Sequence, residues 1–85
     1  MRRYELDLRN MWRPTLMGYL EGAGGKQGDG WLVEGDGWRA WLEEQPPVTL
    51  ATISIRRDLL IIEGEPEAAE RVYRLMREKT MRGGG

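Results

Sequence analysis

Residues 28–44, GDGWLVEGDGWRAWLEE, decide the fold because they describe a β-hairpin. Asp36-Gly37 is a two-residue turn of the kind that matches the right-handed twist of paired strands. With this turn, Val33 lies opposite Ala40 and Leu32 lies opposite Trp41. Directly opposed residues share a face of the sheet. The hairpin therefore sorts its side chains onto two faces of different character.

One face is predicted to enter the core and consists of Trp31, Val33, Trp38, Ala40 and Leu42. The other carries Leu32, Glu34, Arg39 and Trp41. We interpret Leu32, Arg39 and Trp41 as a candidate contact surface, with Trp41 as the hydrophobic anchor and Arg39 as its polar neighbour. Two alternatives stay open. A loop could cover Trp41 at a sheet edge, or the register could slip by one residue, which would exchange the two faces.

The residues before the hairpin predict a strand and a helix. RYELDLR at residues 3–9 alternates apolar and polar side chains, as a half-buried strand does. Pro14 in a first turn and Gly22 as a stop predict a helix from about Arg13 to Glu21. The apolar face of this helix is expected to hold Trp12, Leu16, Tyr19 and Leu20. Residues 22–30 predict a flexible loop, and they lack the glycine spacing and the Ser/Thr of a phosphate-binding loop.

The residues after the hairpin predict two aliphatic strands and a second helix. Gln45-Pro46-Pro47 is expected to break the chain, and Arg56–Asp58 is expected to form the corner between the two strands. Pro66 sits where a helix starts, and Gly83 ends it. The stripe of this helix that faces the core is predicted to comprise Ala68, Ala69, Val72, Leu75 and Met76.

The predicted order is β-α-β-β-β-β-α, which belongs to the α+β class. We expect a five-stranded antiparallel sheet with both helices on one face. Residues 1–82 would form a single domain, and residues 83–85 would form a glycine tail. Three bare glycines have two interpretations. They are either a reactive tail that can enter a narrow enzyme cleft or the frayed end of a helix.

The chain also resembles a known family in three segments: GYLEGAGG at residues 18–25, TISIRRDLLIIEGEPEAAERVYR at residues 52–74, and RGGG at residues 82–85. It is similar to the C-terminal domain of MoaD-related proteins, a small bacterial family of unknown function with a TATA-binding-protein-like fold. In those proteins the domain follows a ubiquitin-like sulfur-carrier domain. The carrier MoaD ends in Gly-Gly, whose carboxylate is adenylated and then thiocarboxylated, and Gly84 and Gly85 match that ending. The resemblance implies a fold and a sulfur-transfer context, but no catalytic residue.

The amino-acid composition argues against several classes of function. The chain has no His and no Cys, a net charge of −1 and 32% charged residues. We therefore expect no catalytic residues, no cofactor, no metal and no enzyme activity. The slightly acidic balance and the lack of Phe argue against nucleic-acid binding. No apolar run is long enough for a membrane span or a signal peptide, so we expect a cytoplasmic protein. Eleven Arg against two Lys fits a thermophilic source.

The sequence thus predicts a non-catalytic accessory or interaction domain, associated with sulfur-carrier or molybdenum-cofactor proteins. Its partner would be another protein or a second copy of the chain. The alternative is a carrier protein in which Gly83, Gly84 and Gly85 form the tail and an adenylating enzyme activates the terminal carboxylate.

Overall fold

A computed structural model describes residues 1–83, which form five strands and two helices. The elements in chain order are β1 (Arg2–Arg9), α1 (Arg13–Gly22), β2 (Lys26–Gln27), β3 (Leu32–Gly35), β4 (Trp38–Leu50), β5 (Ile53–Gly64) and α2 (Pro66–Gly83). The strands make one antiparallel sheet in the order β1-β5-β4-β3-β2. The predicted α+β class and the predicted element order are therefore confirmed.

Both helices pack on the same face of the sheet, and the core lies between them and the strands. Helix α1 contributes three fully buried side chains, Leu16, Met17 and Leu20. Helix α2 contributes Ala69, Val72 and Met76, which lie on the predicted stripe. The sheet supplies Leu8, Val33, Trp38, Ala40, Leu42, Leu60 and Ile62. Because both helices lie on this face, none of the elements within residues 1–83 forms a layer over the opposite face of the sheet.

The hairpin between β3 and β4 has the predicted register. Leu32 pairs with Trp41, and Val33 pairs with Ala40. Gly37 has a φ of 82°, which the turn requires and glycine adopts without strain. The prediction for Trp31 was wrong, because its side chain is 41% exposed. Trp31 precedes the first residue of β3, so strand alternation does not direct its side chain into the core.

The prediction for β4 and β5 was wrong in two places. Pro46 and Pro47 do not break the chain, because β4 continues through them with a register shift between Gln45 and Val48. Such a bulge tolerates prolines, which cannot donate a ladder hydrogen bond. The corner at Arg56–Asp58 does not exist, since β5 runs straight through it. The chain reverses instead after Leu50, where Ala51 adopts a left-handed φ of 56°.

Two further predictions need correction near α1. The glycine-rich stretch at residues 22–30 contains β2, whose Lys26 pairs with Glu34 of β3. Trp12 does not share the apolar face of α1 and is 69% exposed. It is the extended residue that precedes the helix, with φ −81° and ψ 121°, so helical periodicity does not apply to it. The predicted bounds of α1 itself agree with the structure to within one residue.

Candidate protein-interaction site

The predicted contact residues lie together on the face of the sheet that carries no helix. Leu32 and Trp41 are directly paired across β3 and β4, and Arg39 lies two residues from Trp41 on the same side of β4. Leu32 and Trp41 are half-buried, whereas Arg39 is exposed. The helix-free face therefore combines a partly covered aromatic side chain with an exposed guanidinium group.

Ile61 of β5 lies at the centre of this face. It pairs with Trp41 on one side and with Glu5 on the other, and it is fully buried. Neither of the helices that the structure describes covers this side of the sheet, so the neighbouring side chains must cover Ile61, and Trp41 is the largest of them. We call the apolar group formed by Leu32, Trp41, Leu59 and Ile61 the Trp41 patch.

Arginines and glutamates enclose the Trp41 indole. The guanidinium carbons of Arg39 and Arg3 lie 5.5 Å and 6.0 Å from the ring centroid, within cation–π range. Both arginines also bind Glu63, with N–O distances of 3.2 Å for Arg39 and 3.0 Å for Arg3. The indole Nε1 donates a hydrogen bond of 3.0 Å to Oε2 of Glu43. These contacts hold the indole in one orientation over the sheet.

The same contacts shift the ionisation of the charged groups. Hydrogen bonds from Arg39 and then from Arg3 lower the pKa of Glu63 below its usual value. The pKa of Arg3 is raised, first by its hydrogen bond to Glu5 and also by Glu63. Glu63 thus stays ionised between two permanent positive charges, and the rim of the Trp41 patch carries both signs at neutral pH.

A separate ion pair lies on the helix side of the sheet. Asp58 is 2% exposed, and both of its carboxylate oxygens accept hydrogen bonds from Arg13, at 3.0 Å from Nε and 2.6 Å from Nη2. The hydrogen bond to Asp58 raises the pKa of Arg13. The guanidinium of Arg13 also lies 5.6 Å from the ring centroid of Trp31. This pair anchors the first turn of α1 to β5, so its role is structural.

The outer end of the β4–β5 hairpin is a feature that the sequence interpretation missed. We call residues 48–55 the distal arm. Val48 pairs with Ile55, and Leu50 pairs with Ile53, so these four side chains share one face. Leu50 is 58% exposed and Ile53 is 63% exposed. The alternation of apolar and polar residues in VTLATISI, residues 48–55, indicates this apolar face. The sequence interpretation missed it because it placed the turn at Arg56–Asp58 instead of after Leu50.

The predicted tail falls partly outside the described residues. Gly83 is the last residue of α2, whereas Gly84 and Gly85 lie outside the range that the structure describes. In residues 1–83, no group of three or more His, Cys, Asp or Glu side chains could hold a metal ion. Neither of the two helices in that range is long and apolar enough to cross a membrane.

Comparison with known families gives one match. The family model described as archaeal MoaD-like protein matches residues 4–85, which is nearly the whole chain. The chain therefore belongs to the archaeal MoaD-like protein family. This confirms the MoaD-related part of the predicted resemblance, while the bacterial source and the TATA-binding-protein-like fold stay predictions. A search of curated proteins finds no match to the chain.

Proposed function

We propose that this member of the archaeal MoaD-like family is a non-catalytic interaction domain that works beside sulfur-carrier or molybdenum-cofactor proteins. Its contact surface is the helix-free face of the sheet, with Leu32, Arg39 and Trp41 as the contact residues. The observation that carries the proposal is the direct pairing of two half-buried apolar side chains, Leu32 and Trp41, on a sheet face that no helix within residues 1–83 covers. An apolar centre on a face without a covering layer is typical of an association surface.

The composition of the face supports this role. Tryptophan and arginine are the residues that most often dominate binding energy at protein interfaces. Here Arg39 and Arg3 already lie over the indole of Trp41, and their ion pairs with Glu63 restrict their motion. A surface that is ordered before it binds loses less conformational entropy on association.

We propose a second copy of the chain as the partner. Arg3, Arg39 and Glu63 put both charge signs on one edge of the Trp41 patch, so two copies can meet without like charges facing each other. A chain of 85 residues buries a smaller share of its surface than a larger domain does, and association would add to that burial.

The non-catalytic part of the proposal is supported by the pairing of the least exposed carboxylates. Asp58 is held by Arg13, and Glu63 is held by Arg39 and Arg3. The lowered pKa of Glu63 makes it a weak base, and both carboxylate oxygens of Asp58 are already occupied by Arg13. Both side chains are therefore better suited to structure than to proton transfer.

Sedimentation analysis of the purified chain over a concentration series tests the proposal. We expect the weight-average molar mass of the wild type to rise with protein concentration. The Trp41→Ala variant should stay monomeric over the same concentration range. Trp31→Ala is the matched control, since it removes a partly exposed tryptophan that lies against Arg13 instead. Circular dichroism checks that each variant is folded, and Leu32→Lys replaces Trp41→Ala if the latter is not. Equal association of wild type and both folded variants would refute the contact surface.

The carrier alternative is favoured by one observation, which is that the family match extends through the glycines at residues 83–85. If the terminal carboxylate is activated, a fraction of the protein purified from its own host will carry sulfur in place of one oxygen. Intact mass spectrometry detects this change. A protein that stays unmodified after incubation with ATP and the adenylating and sulfur-donating enzymes of that host would refute the alternative.

A further inference from the structure

We propose that two copies of the chain pack face to face about a two-fold axis that runs along the strands, between β4 and β5. This inference rests on the proposed self-association through the helix-free face. It deepens that proposal by naming the residues that meet across the two copies, above all Arg3 of one copy and Glu34 of the other.

The helix-free face carries a row of charges that alternates in sign from one edge of the sheet to the other. We call this row the charge row, and its members in order are Arg3, Glu63, Arg39, Glu34 and Lys26. Each member is paired with the next across neighbouring strands, in the strand order β1-β5-β4-β3-β2. Directly opposed residues share a face, so all five side chains lie on the same side of the sheet.

The charge row is only partly paired within one chain. Glu63 binds Arg3 and Arg39, with N–O distances of 3.0 Å and 3.2 Å. Within residues 1–83, Glu34 is exposed and forms no ion pair. Arg3 and Glu34 lie three strand spacings apart, roughly 14 Å, with β5 and β4 between them. Glu34 is therefore available to a cation on a second copy.

The alternation makes the charge row complementary to itself. A two-fold axis along the strands between β4 and β5 places β5 of one copy opposite β4 of the other, and β1 opposite β3, while each row stays level with its own copy. Glu63 then meets Arg39, and Arg3 meets Glu34. By symmetry, each of these contacts occurs twice in the dimer. Opposite charges therefore face each other along the whole overlap of the two charge rows.

The same axis suits the neighbouring rows of the face. It places Ile61 opposite Trp41, so apolar side chains meet at the centre of the face. The other opposed pairs bring no like charges together; they are Glu5 with Leu32, Leu59 with Glu43 and Arg57 with Gln45.

An axis that runs across the strands fits the charges less well. At the row of Ile61 it would place Glu5 opposite its own copy, and at the row of Arg57 it would do the same to Arg57 and Arg9. An axis that passes between two strands places no residue opposite its own copy. Strands β4 and β5 are the longest, with 13 and 12 residues, so the axis between them also gives the largest overlap.

The size of the contact indicates a weak dimer. Four strands at about 4.8 Å, and the stretch of β5 from Arg57 to Glu63 at about 3.4 Å per residue, give a footprint of roughly 19 by 24 Å. The two copies together would cover at most about 900 Å², whereas stable specific interfaces bury about 1,200–2,000 Å². The charge row lies at the rim, close to the Asp36-Gly37 turn, where its ions keep contact with water. We therefore expect a dimer that dissociates on dilution and whose orientation is set by charge.

Charge reversal on separate copies tests the axis, with sedimentation over a concentration series as the measurement. In a dimer of Arg3→Glu alone or of Glu34→Arg alone, like charges meet at both copies of the Arg3–Glu34 contact. In a mixed dimer of the two variants, both contacts again join opposite charges. We expect each variant alone to dimerise at least about tenfold more weakly than wild type, and an equimolar mixture to recover wild-type association to within about threefold.

The mixture also controls for effects within one chain, because a reversed charge alters its own chain equally in pure and mixed dimers. Arg74→Glu is the matched control, since it makes the same change of charge on α2, where the side chain is 78% exposed. This variant should dimerise like wild type. If circular dichroism shows that Arg3→Glu or Glu34→Arg is not folded, Arg39→Glu mixed with Glu63→Arg tests the same axis through its other contact.

The outcomes separate this inference from the proposed function. If wild type dimerises and Trp41→Ala does not, but the mixture associates no better than either variant alone, the contact surface stands and the axis is refuted. The axis is also refuted if Arg3→Glu or Glu34→Arg alone dimerises as well as wild type. If wild type stays monomeric over the whole concentration range, both proposals fail.

Discussion

The buried ion pair between Arg13 and Asp58 leads to the prediction of a large loss of stability. Arg13→Ala would leave the carboxylate of Asp58, which is 2% exposed, without either of its two hydrogen-bond donors. Removing one partner of a buried pair costs about 3–5 kcal/mol, because the remaining charge stays desolvated. A domain of this size has a total stability on the order of 4–13 kcal/mol, so the variant would lose a large part of it.

Urea denaturation followed by tryptophan fluorescence measures this loss. Arg3→Ala is the matched control, because Arg3 also binds a carboxylate, Glu63, but its side chain is 49% exposed. Solvent screens exposed pairs, so this control should unfold near the wild-type midpoint. The double variant Arg13→Met/Asp58→Leu removes both charges and should recover most of the loss. If Arg13→Ala unfolds within about 1 kcal/mol of wild type, the ion pair does not anchor α1 as argued.

Three further predictions concern single positions. Gly64→Ala should destabilise the protein by at least about 1–3 kcal/mol in the same assay, because its Cβ would fall on the backbone oxygen of Gly37, which cannot rotate away. Met76→Ala should cost about 2–5 kcal/mol, since that side chain is fully buried between α2 and the sheet. Glu63 has a lowered pKa, so its ion pair with Arg39 stabilises the fold above the unfolded pKa of about 4.3, and that contribution is lost as pH falls. Glu63→Gln should therefore flatten the acid side of a stability–pH curve, and an unchanged curve would contradict the assignment.

The sequence predicted the parts of the fold that depend on local chemistry. Asp36-Gly37 identifies its turn without reference to the rest of the chain, and one turn sets the register of both strands. That is why the pairing of Leu32 with Trp41, and hence the composition of the helix-free face, followed from residues 28–44 alone. The turn after Leu50 carries no such signal, because Ala51 adopts a left-handed φ that alanine seldom has.

Contacts between residues that are far apart in the sequence could not be predicted from local sequence patterns. Arg13 and Asp58 are 45 residues apart, and nothing in the spacing of either residue indicates the other. The sequence interpretation instead assigned Asp58 to a corner between two strands, together with Arg56 and Arg57. Burial of a charge is decided by its partner, and the partner is brought in by α1, whose docking depends on the whole core.

Strands β1 and β5 differ in their apolar patterns, and this difference is visible in the sequence. It indicates that part of the helix-free face is covered. Strand β1 alternates strictly, as a strand with one solvated face does. Strand β5 contains Leu59–Ile62 without a polar residue, and its Leu60, Ile61 and Ile62 are all fully buried. Apolar residues in unbroken succession are typical of a strand that is covered on both faces. The helices cover one face of β5, and on the other Trp41 covers only the position of Ile61. The neighbouring Leu59 is half-buried, whereas Leu50 and Ile53 of the distal arm on the same side are 58% and 63% exposed, so the outer end of this face has the least cover.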